Sequence, residues 1–226
     1  MKKKIILLAC LLFVFIMGIS VTSYASSNVK LSNKSILLAK GSKYKLKVKG
    51  TNKKASWSSS NTKVVTVSDN GTVQAVNIGK ATVQALIAKK TYKCKVEVMS
   101  KDDISYKVID IYSWTCGDIW NDGFCDIYHY VESGTNSVGG RMNIRKTVKN
   151  VKKALKQKKK YNTFMKRLQG KKYKRVKKVW GKIYVEMNIL QSCIEDEMPR
   201  YDEDYYFPHE NFGDYIWDFL SEAYSL

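Results

Sequence analysis

The residues best suited to chemistry lie in one stretch, where Asp118, Asp122, Cys125, Asp126, His129 and Glu132 follow one another at short intervals. On a helix, Asp126, His129 and Glu132 step by three and share a face, the spacing of a partial metal site or of an acid–base pair. Cys125 and His129 stand at i and i+4, the spacing of a thiolate pair. Neither set is complete. The chain has 2 histidines. The second, His209, sits in the loop-like Pro208-His209-Glu210-Asn211, and no HExxH occurs. Asp118, Asp122 and Asp126 fall at i, i+4 and i+8 without the signature of a glycosidase carboxylate pair. Gly139-Gly140 precedes a basic helix and offers backbone N–H groups to an anion, yet no phosphate-binding glycine motif is present, and a loop hinge is the commoner explanation. The expectation is therefore a protein with no catalytic, cofactor-binding or metal-ligating set and no cofactor. The alternative is a secreted enzyme with its site around Asp118, Asp122, Cys125, Asp126 and His129.

What the chain holds in quantity is positive charge: 40 Lys+Arg against 20 Asp+Glu, a formal net charge of +20. The charge is unevenly placed. Asn28 to Met99 carries 15 Lys against two acids, Asp69 and Glu97. Arg141 to Lys182 carries 19 Lys+Arg and no acid, whereas Ile183 to Leu226 carries 11 acids and one base, Arg200. Such a field attracts anionic partners. Two readings stand side by side. In one, lysines guard strand edges, and the acidic tail, with Asp118, Asp122 and Asp126, neutralises the basic helices from within. In the other, a basic strip stays exposed and binds an anionic cell-wall polymer or a surface protein, with an affinity that falls as salt rises.

The first residues bear on which anions are met. Lys2, Lys3 and Lys4 precede an unbroken run of apolar and small residues from Ile5 to Ile19, and Ser23-Tyr24-Ala25 places small residues at −3 and −1 of a cleavage site. This is the anatomy of a signal peptide over residues 1–25. Its apolar part is shorter than the roughly 20 residues of a spanning helix. Leu7-Leu8-Ala9-Cys10 looks like a lipoprotein box, but apolar sequence continues past Cys10. The expected location is the bacterial surface or the medium, with no membrane span after leader cleavage. Export makes nucleic acid a lesser partner. No wall-sorting motif or second hydrophobic span follows, so noncovalent retention or release is expected. Cys94, Cys116, Cys125 and Cys193 remain after cleavage, with no CxxC spacing. Three disulfide connectivities are open to them. On a helix, Cys116 and Cys125 would lie about 13 Å apart, too far to bridge, and free thiols are the favoured reading.

Two kinds of element must position these residues. Over residues 28–99 the apolar residues alternate with period 2. Tyr44, Leu46 and Val48 interleave with Lys43, Lys45, Lys47 and Lys49; Val65 and Val67 repeat the pattern; Asp69-Asn70-Gly71 is a tight-turn signal. Short strands so spaced point to a sandwich. Trp57-Ser58-Ser59-Ser60-Asn61, Val64, Val67, Asn70-Gly71, Val73, Ala75, Gly79, Ala81, Val83 and a closing Tyr92-Lys93-Cys94-Lys95-Val96 strand together resemble the bacterial immunoglobulin-like domain, group 2. The resemblance implies a modular domain of surface proteins, used in adhesion or as a spacer, and no catalysis. Trp57 is expected as the plug between the sheets and Cys94 as core.

From residue 102 to 226 the period is helical. Ile104, Val108, Ile111, Tyr112, Ile119, Phe124, Ile127, Tyr128 and Val131 form one stripe, with Gly117 and Gly123 as weak points. A second helix is expected from Arg141 to about Leu168. A third carries Tyr173, Val176, Trp180, Ile183, Met187, Leu190 and Ile194, alternating three and four apart, and stops before Pro199. A short helix from Asp214 to Ala223 closes the chain. The fold class is thus multidomain: an N-terminal all-β immunoglobulin-like sandwich and a C-terminal all-α helical bundle, basic with an acidic end. The third seam is expected to face the bundle rather than a dimer partner, because the other helices need a face to bury against.

Overall fold

The computed structural model describes residues 28–202 and 204–226; the expected signal peptide, residues 1–25, and Cys10 fall outside them. The N-terminal part is a β-sandwich of strands β1 (Lys30–Leu31), β2 (Ser35–Ala39), β3 (Lys43–Lys45), β4 (Val48–Lys49), β5 (Ser56–Ser59), β6 (Val65–Val67), β7 (Thr72–Ala75), β8 (Gly79–Ile87) and β9 (Lys90–Met99). One sheet has the order β2-β9-β8-β5, the other β3-β7-β6, and β1 pairs with β4. β2 runs parallel to β9, and the other pairs are antiparallel. Ile36, Leu38, Val65, Val73, Val83, Cys94 and Val96 fill the space between the sheets.

Two expectations need correction. The lysine-rich stretch is not one strand: Lys43–Lys45 pairs with β7, the chain breaks at Leu46, and Val48–Lys49 pairs with β1. Changing partners requires the break, and the Leu46 N–H is taken by Gly71 O at 3.0 Å. Trp57 is not a central plug. It packs on the core from the edge strand β5 and stays half-buried. Gly71, at φ +81°, makes room for it: a Cβ there would lie 2.6 Å from Leu46 O and 2.8 Å from Trp57 Cζ2.

Strand β9 passes into helix α1 (Lys101–Trp114) through Ser100 alone, whose hydroxyl accepts from the Asp103 N–H at 2.9 Å as an N-cap. The helix continues as an 11-residue π-helical stretch, Thr115–Cys125, and then as α2 (Asp126–Ser133). Next come α3 (Ile144–Ala154), a 3-10 turn at Leu155–Gln157 and α4 (Lys158–Arg167). The expected second helix is therefore two helices joined by a tighter turn. A second 3-10 turn, Lys171–Tyr173, leads into α5 (Lys174–Asp196), and α6 (Glu210–Tyr224) ends the chain. The last helix is a turn longer at its start than its apolar pattern suggested, because Phe212 is buried there. The Tyr173-to-Ile194 seam is buried within the chain. Phe219 of α6 lies 6.3 Å from Tyr112 on α1 and 5.8 Å from Trp180 on α5, ring centroid to centroid. No helix among the described residues is long and apolar enough to cross a membrane.

Strand β2 contributes to two cores, one in the sandwich and one among the helices. β2 is buried on both faces: Ile36 and Leu38 face the sandwich, while Leu37 and Ala39 join the helical core. Past α4 the backbone runs beside β2, with Leu168 bridged to Leu37 and the Gln169 N–H donating to Leu37 O at 2.9 Å. Arg167 Nη2 pairs with Glu97 Oε2 of β9 at 2.8 Å.

Candidate functional site

The acid, thiol and imidazole groups that looked like a constellation are dispersed. Asp126 Oδ1 accepts from the Ser137 N–H at 3.0 Å and the Ser137 hydroxyl at 2.7 Å, which ties down the loop after α2. His129 leans on the Tyr128 ring at 4.9 Å. His209 stacks on that same ring at 3.5 Å, and its Nδ1 lies 3.1 Å from Phe207 O. Asp118 and Asp122 line a concavity with Asn150, Lys153 and Gln157, beside the basic face of α3. The wider winding of the π-helical stretch undoes the i, i+4, i+8 register that would have kept the three aspartates on one face. Burial, helped by the charge of Asp126, pushes the Cys125 thiol up, the opposite of what a reactive thiolate needs. Among the described residues no group of three or more His, Cys, Asp or Glu is placed to hold a metal ion.

The basic residues, by contrast, are brought together. Along α3, Arg145, Lys149, Lys152, Lys153 and Lys156 line a concavity of about 570 Å³. Lys156 also lines the next one, of about 550 Å³, with Lys107, Lys159, Lys160 and Arg167. Thr163 and Arg167 are shared with a third, of about 670 Å³, which lies against Lys80, Thr82, Lys95 and Glu97 of β8 and β9. The three form one furrow from the middle of the bundle to the sandwich. Among the described residues Glu97 is the one carboxylate lining these three concavities, met by Arg167 at 2.8 Å and Lys80 at 3.9 Å, while Asp118 and Asp122 line a neighbouring concavity that shares Asn150 and Lys153 with the first. Lys107 is held by Asp110 at 2.5 Å.

Internal neutralisation by direct pairing reaches one of these cations among the described residues. Of the 19 Lys+Arg from Arg141 to Lys182, only Arg167 has an Asp or Glu oxygen within 4.0 Å. Helix α6 meets Lys182 with the Tyr215 ring, 4.5 Å from the ammonium, rather than with a carboxylate. Some lysines hold the fold instead. Lys158 donates to Asn188 Oδ1 at 2.7 Å, and burial lowers its pKa. Lys177 donates to Leu168 O at 2.5 Å, satisfying a carbonyl at the end of α4, and burial lowers its pKa too. In the furrow, Arg145–Lys149, Lys149–Lys153, Lys152–Lys156 and Lys156–Lys160 are like charges at i, i+4. Such pairs oppose the helix by about 1–2 kcal/mol in all. A solvated face usually intersperses acids to avoid this cost; here there are none.

Sequence reasoning found the basic segment but not the furrow. Its sandwich side comes from Lys80 and Lys95, which only the docking of the two parts brings beside Arg167.

Comparison with known proteins bears on the sandwich alone. No curated protein matches the chain. Among solved structures, a bacterial Ig-like domain containing GH10 xylanase from termite gut is 22% identical over 28% of this chain and 18% of that one, with a TM-score of 0.27. The S-layer protein SbsC is 24% identical over 32% of this chain and 12% of that one, with a TM-score of 0.29. A mutant intimin of EHEC O157:H7 is 18% identical over 38% of this chain and 65% of that one, with a TM-score of 0.29. The chain thus spans less than two thirds of each of these proteins. The family model of the bacterial Ig-like domain (group 2) matches residues 25–102, and over these residues the chain carries a domain of that family.

Proposed function

We propose that this is a non-enzymatic binding protein of the bacterial surface or medium, in which the Ig-like domain presents a basic helical domain to anionic cell-surface polymers. One observation carries the reading. The acid-free basic run from Arg145 to Arg167 lines a concave furrow whose cations, apart from Lys80, Lys107 and Arg167, have no Asp or Glu oxygen within 4.0 Å among the described residues. The signal-peptide anatomy of residues 1–25 and the Ig-like domain support an outside location, where wall polymers are the abundant polyanions.

Cosedimentation of the secreted chain with purified cell walls tests this. Retention is expected at low salt and should fall steeply, by about a thousandfold in affinity if six or more charge contacts form, between about 50 and 200 mM salt. No retention at the lowest salt would remove the anionic-polymer reading.

A further inference from the structure

We propose that the furrow is a single track for a linear, base-free phosphodiester polymer, laid along α3 and α4 and across the domain junction. The inference rests on the anionic-polymer reading and gives it a place and a ligand class. Continuity carries it first. Lys156 belongs to two of the concavities, and Thr163 and Arg167 to the next two, so the three follow one another side by side. From Arg145 to Arg167 the helical stretch rises about 30 Å, far longer than one phosphate. Within it Arg145, Lys149, Lys152, Lys156 and Lys160 recur at steps of four, three, four and four. That places about one positive group per turn, or every 5.4 Å. A compact anion would meet one or two of these; an extended chain of spaced charges meets them all.

The chemistry narrows the class. Lysines predominate, and a lysine ammonium is a point charge that suits single phosphate oxygens without bidentate geometry. Of the two arginines lining the furrow, Arg145 and Arg167, the second is already committed to Glu97. No open ring lines the furrow: Tyr161 is 4% exposed and Phe164 half-buried. Single-stranded nucleic acids are held by exposed rings on which bases stack. A polymer whose phosphates are separated by a short polyol, and which has no base to stack, fits better.

Glycerol-phosphate oligomers of increasing length, titrated calorimetrically into the full secreted chain, test the track. Affinity should rise with length until an oligomer spans the furrow, and orthophosphate should not compete. The triple variant Lys152→Gln, Lys156→Gln, Lys160→Gln should weaken a long oligomer at least about tenfold and lower the log–log salt slope by about two. Its melting temperature should not fall, because repulsion is being removed. An equal loss of charge outside the furrow, Lys53→Gln, Lys54→Gln, Lys63→Gln, should change affinity less than about twofold at matched salt. Equal weakening by both triples, a plateau at the shortest oligomer, or equally tight binding of oligo(dT) of matched charge would overturn the track and leave polymer binding standing. Failure of the unaltered chain to bind any oligomer at low salt would remove both.

Discussion

The Cys94 side chain is enclosed by the sandwich core, and burial, opposed by the nearby charge of Arg167, pushes its pKa from 9.0 to about 11. The unfolded chain releases this proton near pH 9, whereas the folded chain keeps it to about pH 11. The stability contributed by the group is therefore complete below pH 9 and is lost as pH rises toward 11, by at most about 1.4 kcal/mol per pH unit. Urea unfolding across this window should show the decline, and Cys94→Ala should flatten it; an unchanged slope would mean the thiol is more accessible than its surroundings indicate. The alternation of Tyr92, Cys94 and Val96 was enough to place this residue inside. Alternation gives direction and not depth, however. It aimed Trp57 correctly yet could not show that β5 lies at a sheet edge, where an inward side chain is only half covered. Nor can spacing along one helix reveal that His209, distant in the chain, takes the face of Tyr128.

At the scale of elements, the π-helical stretch depends on Gly123. A Cβ there would lie 2.6 Å from Val151 Cγ2 and 3.2 Å from Asp118 O, so the glycine sets how closely α3 crosses. Val151 is fully buried and β-branched, with little room to yield. Gly123→Ala should cost about 1–3 kcal/mol, read as a lower thermal midpoint. Gly117→Ala, with nothing within 4 Å of the new methyl group, should cost nothing. Equal effects would show that intrinsic helix preference, not the crossing, rules this segment. The winding left a trace in the sequence: the apolar stripe steps by five from Ile119 to Phe124, too far for an α-helical face. The α5 seam was readable throughout because its three-and-four alternation never lapses. Strand β2 was not, since a strand buried on both faces loses the alternation that marks its kind, and Ile36-Leu37-Leu38-Ala39 is such a run.

For the molecule as a whole, a strand common to both cores, β2, implies that sandwich and helices unfold together. Calorimetry of the intact chain should show one transition with matching calorimetric and van't Hoff enthalpies. Leu37→Ala combined with Arg167→Ala should lower the midpoint and separate the two parts. Two transitions in the unaltered chain would mean that the interface does not couple them. Composition and period sufficed to divide the chain into a sheet part and a helix part, because each property is local. The junction was hidden, since it joins Leu37 to Leu168, and no local pattern records a contact made across so much intervening chain. The same contact has a consequence for company. Sheets with bare margins invite neighbouring molecules to add strands and grow into fibres. By taking the Leu37 carbonyl, the Gln169 amide stoppers the β2 margin, so crowded copies meeting on that side find a leucine-capped seam where a template for stacking would otherwise stand.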